Sequence, residues 1–498
     1  MAAIITEKFR QHNADQFFES FSEASKSTYY LFVGKATAFT SSTTGGSDSS
    51  PPTPSDGPAD TEFYAWDSML AAKNVTSSDI TYAIPRRNWS NGTTYDQYDD
   101  NISSSNTTTS GASNLYDSSF YFMTSDYRVY KVLDNNAGTA YSGAEPTSTS
   151  TSPFALGGYV LKYMYAITTS EAAKFLTSDF IPVSNDSTIS AAAVDGKIES
   201  IKVTAGTGYT NGTYYAAVYG DGTSAGTSSG AIIRITVASN QIQSFGLTAG
   251  SDTTIHAGGA GYTFGTVNLG AGYTFSDSGL SSASNMGGSG GAIEVIISPK
   301  NGHGNDAIGE LGGHYVMSAT TLTQAENDDI TTSNDFRQVG LVVDPTNYGT
   351  STVATASTRR QTFVVKAASS SGTFEVDEKI TQASTGAVGK VVEWDSTLSL
   401  LYFQQERFGD FGTNSTTGDH SVFEGANVIT GATSSATLTP STDSETITLA
   451  NNNTLSTTSG YANPELQPDS GNIIYLENRK PIQRDSDQTE DIKLIIEF

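Results

Sequence analysis

The sequence predicts a mainly β protein of several domains, built from antiparallel β-sandwich or barrel modules with a few short helices and inserted, duplicated β-hairpin modules. Three observations lead there. Apolar and aromatic residues recur with period 2 in short runs, and two stretches of the chain repeat themselves. The composition suits short strands joined by long polar loops: 498 residues hold 48 Gly, 36% hydrophobic, 10% aromatic and only 16% charged residues. At ~100–200 residues per domain, this length allows roughly three or four domains.

Each element follows from its local pattern. Thr6 is placed to cap a helix in which Ala14, Phe17, Phe18 and Phe21 share one face. Tyr29 to Ala36 reads as a strand, followed by a Ser/Thr/Gly/Pro loop through Pro58, and Glu62 to Ala72 reads as a second, shorter helix. Ser118 to Leu133 and Gly158 to Thr168 carry the period-2 aromatic and β-branched pattern of paired strands. From about Asn185 the composition changes. Gly196-Lys-Ile-Glu-Ser-Ile-Lys-Val-Thr-Ala-Gly206 recurs as Asn240-Gln-Ile-Gln-Ser-Phe-Gly-Leu-Thr-Ala-Gly250. Each copy continues into a Gly-x-Gly-Tyr-Thr turn, at Gly206 and Gly259, and closes with a strand opening Gly-Ala-Ile, at Gly230 and Gly291. A third such turn begins at Gly270. The glycines permit φ > 0 and the tyrosine covers the turn, so each copy reads as a small hairpin unit packed against the other. In a second repeat, Phe374-Glu-Val-Asp-Glu-Lys-Ile-Thr-Gln-Ala aligns with Phe423-Glu-Gly-Ala-Asn-Val-Ile-Thr-Gly-Ala. Val388 to Phe403 supplies two strands around an Asp395-Ser396 turn, so this region reads as a small barrel or sandwich made by duplication. Near the end, Gly471 to Ile482 precedes a strand in which Ile492, Leu494, Ile496 and Phe498 alternate onto one face.

Charge and residue usage exclude several functions. The formal net charge of −26 repels phosphate backbones, so a broad nucleic-acid-binding face is ruled out. The chain has no Cys, which removes disulfides, thiolate catalysis and Cys-ligated metal centres. Neither a charged segment leading into an apolar signal nor a run of ~18 apolar residues occurs, so the reading is of a protein neither secreted by a signal peptide nor inserted in a membrane. None of the five histidines, His12, His256, His303, His314 and His420, has the i, i+4 spacing of a helical zinc site. No Gly-x-Ser-x-Gly stretch reads as a strand-to-helix elbow with a credible His partner, and the Gly-rich turns lack the Lys-Ser/Thr of a phosphate cradle. The acidic groups Asp96, Asp99 and Asp100, and Glu326, Asp328 and Asp329, match no calcium loop and read as solvated loops. No cofactor or metal is expected.

The densest signal is Ala83-Ile-Pro-Arg-Arg-Asn-Trp89, two adjacent arginines before a tryptophan in an acidic chain. Pro85 favours an extended approach, so Arg86 and Arg87 point to opposite sides. Two readings stand side by side. One is a charge-assisted docking site for an acidic partner, and the other is an internal Arg–carboxylate pair covered by Trp89.

Taken together, five blocks resemble a known family: Ala3-Ile-Ile-Thr-Glu-Lys-Phe-Arg10; Ala83 to Trp89; Gly158-Tyr-Val-Leu-Lys-Tyr-Met-Tyr165; Asp335-Phe-Arg-Gln-Val-Gly-Leu-Val-Val-Asp-Pro345; and Ile474-Tyr-Leu-Glu-Asn-Arg-Lys-Pro-Ile482 with Asp487 to Ile492. In this order they resemble the baseplate wedge family, the eighth-gene products, of T-even-like contractile-tailed bacteriophages. The resemblance implies a non-enzymatic, mostly β structural protein of the virion's tail baseplate, assembled in the host cytoplasm. It further implies a homodimer that joins other wedge subunits before the wedges surround the tail hub. Arg86, Arg87, Trp89, Arg337, Asn478 and Arg479 are the partner-binding candidates within these blocks. The expected organisation is a framework of residues 1–185, 301–358 and 446–498, interrupted by a Gly/Tyr-rich module at 186–300 and a duplicated barrel or sandwich at 359–445. The alternative is a tail fibre or adhesin binding host glycans through Tyr209, Tyr262 and Tyr273. A carboxylate glycosidase ranks below both, because nothing in the sequence pairs an acid with a base.

Overall fold

A computed structural model describes residues 5–40, 45–55, 58–224, 226, 230–272, 275, 279–405, 412, 420–450 and 452–498. The architecture is mainly β, with 40% strand, 10% helix and antiparallel sheets throughout. The chain divides into two compact units: Met1–Gln16, Thr81–Met317 and Ile495–Phe498 form one, and Phe17–Ile80 with Ser318–Leu494 the other.

In the first unit, an antiparallel sheet runs in the order Tyr121–Met123, Arg128–Asp134, Tyr159–Ala166, Phe154–Leu156. Its two middle strands are buried on both faces, which is why apolar residues stand side by side in them, as at Val132–Leu133 and Tyr163–Met164–Tyr165, instead of strictly alternating. Tyr95, Phe122, Tyr130, Tyr141 and Tyr159 fill one core cluster, while Phe120, Val129, Met164 and Tyr165 belong to another. The strands Ile80–Pro85 and Phe180–Val183 pair beside them, and Thr168 caps the helix Thr169–Phe175 through a capping box with Glu171.

The Gly/Tyr repeats pair crosswise. The opening strand of the first copy, Ser200–Thr204, pairs with Ala292–Ile296, which closes the second. The second copy opens with only Gln241–Ile242, and this pairs with Ile232–Ala238, which closes the first. Each copy thus supplies an edge that the other lacks. Tyr209 and Tyr262 are both buried, with hydroxyls accepting the backbone N–H of Gly291 and Ala231 at 2.8 and 2.9 Å. They hold the turns together, and neither presents a ring face to a sugar; Tyr273 lies outside the described residues. Leu133 and Val160 of the meander pack in the same core as Ile201, Ile233, Ile235 and Val237.

In the second unit a five-stranded antiparallel sheet runs Thr358–Arg360, Met69–Val75, Tyr29–Gly34, Phe336–Val343, Asn472–Ile482. Tyr29–Gly34 is buried along its length, as a central strand requires. The duplicated segment closes into a six-stranded barrel: Phe363–Ser371, Leu400–Gln404, Ala387–Asp395, Lys379–Gln382, Ile429–Gly431 and Thr437–Pro440, the last pairing back with the first. Phe374 and Phe423, equivalent in the repeat, enter one core with Val391, Leu401 and Phe403. The hairpin around Asp395 forms as its sequence indicates.

Two helices depart from expectation. Glu7–Glu19 is capped by Thr6, whose Oγ1 accepts from Phe9 N at 3.3 Å, but it ends before Phe21. Phe21 instead stacks on Tyr29 at 4.0 Å, because that ring offers more apolar area than another helical turn. The second helix is Pro58–Ser68, and Met69 to Ala72 belong to a strand. Met69, Leu70, Ala71 and Ala72 are all buried beside Tyr29–Gly34, and a helix would bury only one stripe of them. At the C-terminus the strand Thr489–Glu497 buries Ile492 and Leu494, and half-buried Phe498 follows it.

Candidate docking residues

Arg86 and Arg87 leave the end of the strand Ile80–Pro85 in opposite directions, as its extended geometry dictates. Arg86 donates from Nη1 to Thr177 O at 2.6 Å and from Nε to Asn88 Oδ1 at 2.9 Å. Arg87 donates from Nη2 to Tyr116 O at 2.8 Å, and its guanidinium lies 4.7 Å from the Tyr121 ring centre. Among the described residues, neither arginine meets a carboxylate, so the internal ion pair is replaced by backbone carbonyls and a ring. Trp89 is half-buried, edge-on to Tyr141 at 5.9 Å. Arg87 Nη1 and Trp89 Nε1 are buried donors without an acceptor among the described residues. Both arginines remain half-exposed.

The other three candidates lie in the second unit on adjacent strands. Arg337 is buried, with Nε 3.0 Å from Asp48 and Nη2 3.8 Å from Asp335. The Arg337 guanidinium, with the Phe39 amide, holds the Asp48 carboxyl below the usual range against a small opposing effect of burial. Asn478 accepts from Gln338 Nε2 and donates to Pro52 O, both at 2.9 Å. Arg479 is 42% exposed and its Nε stands 3.7 Å from Glu477. Of this group, Arg479 alone offers its charge to solvent. Arg86, Arg87 and Trp89 thus cluster in one unit and Arg337, Asn478 and Arg479 in the other.

The acidic groups are more engaged than solvated loops. Asp96 is 1% exposed and accepts from both the amides and the hydroxyls of Ser110 and Ser119. Burial pushes its carboxyl up, but those bonds together outweigh burial and hold it low. Asp99 pairs with Lys202, Asp100 accepts from Ile297 N, and Glu326 pairs with Lys73 at 2.6 Å. Asp328 and Asp329 line a cavity. His303 and His314 are not brought together. His314 stands 3.3 Å from Glu7, whereas His303 is buried against Lys131.

That last contact belongs to a polar cluster the sequence reading missed. Lys131 and Lys162 are directly opposite on paired strands, a like-charge register that needs compensation. Lys131 Nζ, fully buried, donates to Glu310 at 2.9 Å, meets His303 Nδ1 at 3.0 Å and sits 3.7 Å from the Tyr98 ring centre. Lys162 donates to Thr151 O at 2.6 Å. Burial and the Lys131 ammonium drive the His303 imidazole well below its ordinary value, so it is held neutral. The visible signal was a lysine at the centre of each of two strands, flanked on both sides by apolar residues.

A family model described as Bacteriophage T4, Gp8 matches residues 3–152 and 442–498. No curated protein matches the chain. The matched residues take in both ends of the chain, including Ala83 to Trp89 and Ile474 to Ile482, while the Gly/Tyr repeats and most of the barrel lie between the matched segments. With these ends matched in order, and the architecture mainly β as the resemblance implies, the chain is similar at both ends to the Gp8 family of T4-like phages, which supports the reading of a baseplate wedge protein.

Proposed function

We propose that this protein acts by docking: it pairs with a second copy of itself and joins other wedge subunits to build the baseplate around the tail hub, without catalysing a reaction. The family match carries this reading. Half-exposed Arg86, Arg87 and Trp89, together with exposed Arg479, are the residues we assign to partner contact. Arg337 and Asn478 contribute by fixing the sheet that presents Arg479. Particles of this kind assemble in the host cytoplasm and end in the virion tail. The segments 186–300 and 359–445 are modules inserted into the framework. Light scattering on the purified chain, alone and mixed with the other wedge proteins of the same virus, tests the reading. A dimer that enters a larger complex, and that loses affinity on Arg86→Ala or Arg479→Ala with unchanged melting, is the expected result. A chain that stays monomeric and ignores those proteins would refute it.

A further inference from the structure

The second unit holds a cavity of about 140 Å³ whose walls come from the 325–332 segment, the Arg360–Thr362 segment and the barrel hairpin. Asp328, Asp329, Glu393 and Asp395 all line it, and Arg360 is the only basic residue among its lining residues. Arg360 is directed elsewhere, donating to the backbone carbonyls of Thr362 and Asn463. Glu393 accepts from Thr331 Oγ1 through one oxygen, and Asp395 accepts the amides of Thr397 and Leu398 through one of its own. Among the described residues, neither has an ion-pair partner. A further observation points to a guest: Thr362 is 3% exposed, lines the same cavity, and its Oγ1 meets no hydrogen-bonding partner among the described residues. A buried hydroxyl left this way keeps an unrepaid desolvation cost unless something fills the site.

The chemistry of the wall selects the guest. Among the described residues, no three His, Asp or Glu side chains converge closely enough to hold a metal ion. The carboxylates share the cavity with Leu70, Ile330, Leu398 and Leu449, which suit a methylene stem better than a hydrated ion. We propose that this cavity binds a primary alkylammonium group, its three N–H donors met by Glu393, Asp395 and the Thr362 hydroxyl and its stem lying on the apolar wall. The source is either a free diamine or polyamine, or a lysine side chain of a neighbouring protein. Burial, opposed by the Thr331 hydroxyl, and then the charges of Asp395 and Asp328 raise the Glu393 carboxyl, as the lack of a cation beside it entails.

Calorimetric titration of the full chain tests this with 1,4-diaminobutane, n-butylamine and Nα-acetyl-lysine N-methylamide, using n-butanol as the neutral match. The amines should bind saturably and the alcohol not at all. Glu393→Gln should weaken binding roughly tenfold or more, because a hydrogen bond to a charged group is lost. The nearly isosteric Thr362→Val should weaken it less, and it decides the matter with Asp395→Asn if Glu393→Gln does not fold. A diamine much tighter than the lysine mimic identifies a free amine as the source, and equal affinities identify a protein lysine. Absence of saturable amine binding, binding indifferent to all three substitutions, or displacement of the amines by calcium would each overturn the proposal.

Discussion

At the scale of single residues, the fold depends on a few ionisable groups taken out of water. Lys131 is compensated chiefly by Glu310, whose other oxygen accepts the Gly304 amide at 2.6 Å. Glu310→Gln keeps the shape but leaves an uncompensated ammonium, so it should destabilise the protein by about 3–5 kcal/mol in urea melts. Adding Lys131→Met to Glu310→Gln should recover much of that loss, since the pair mainly balances its own desolvation. Asp134 behaves oppositely. Burial raises its carboxyl to about 6, with only the Asn136 amide opposing. The unfolded chain ionises this group first, so it penalises the fold above that range, and the penalty disappears as pH falls through 6 toward 3.8. Asp134→Asn should therefore stabilise the protein by about 1–2 kcal/mol near pH 8, with the gain vanishing below about pH 4. A gain that persists in acid would mean that something other than the charge is responsible. Neither group was legible in the sequence as special: Lys131 and Asp134 look like ordinary polar positions of a strand with one face in water, and only packing on both faces makes them buried.

At the scale of elements, local chemistry was read well and pairing was not. Thr6, the strand Tyr29–Gly34 and the hairpin around Asp395 follow from caps, alternation and turn residues within a few positions of one another. Met69 to Ala72 was misread because a short apolar run satisfies both periods, and the neighbouring strand decided between them. The crosswise pairing of the Gly/Tyr copies was invisible for a related reason: Ser200–Thr204 finds its partner Ala292–Ile296 far along the chain, and only the short link from Ile232–Ala238 to Gln241–Ile242 is local. Two element-level outcomes follow from the geometry. Thr168→Ala removes the hydroxyl that accepts from Glu171 N at 3.2 Å and donates to the Glu171 carboxylate at 2.7 Å, leaving only the backbone half of the capping box. It should cost about 1 kcal/mol, measured by chemical denaturation. Gly288 has φ of +73°, and a β-carbon there would stand 2.3 Å from the Tyr209 ring. Gly288→Ala should cost more than about 1–2 kcal/mol, the left-handed penalty alone, because the clash with a buried ring adds to it. Equal melting for the variant and the parent would remove the tyrosine-covered turn as a source of stability.

At the scale of the whole molecule, the ends of the chain match a family while its middle contains two duplicated stretches, and these differ in how far they close on themselves. The Gly/Tyr region shares a core with Leu133 and Val160 of the neighbouring sheet, so removing it would open apolar surface on what remains. The barrel closes further on itself, although Val364 and Leu400 on its outer side pack with Ile447, Leu455 and Ala462. Its six strands pair in a ring, which leaves no edge within the ring unsatisfied, and the duplicated Phe374 and Phe423 supply both halves of one core. Its strand Phe363–Ser371 adds only a two-residue pairing to Tyr461–Ala462 outside the ring. A closed barrel with its own core and a minor outside pairing should fold alone, so residues 359–445 expressed separately should melt in one cooperative transition and resist proteolysis. The complementary deletion, with 359 joined to 445 by a short Gly/Ser linker, should leave the family-matched ends able to enter the wedge complex. A separate barrel that fails to melt cooperatively would make it part of a larger folding unit. In that case the duplicated segment is not an insertion, and its surfaces must be counted with those of the framework when wedge contacts are mapped.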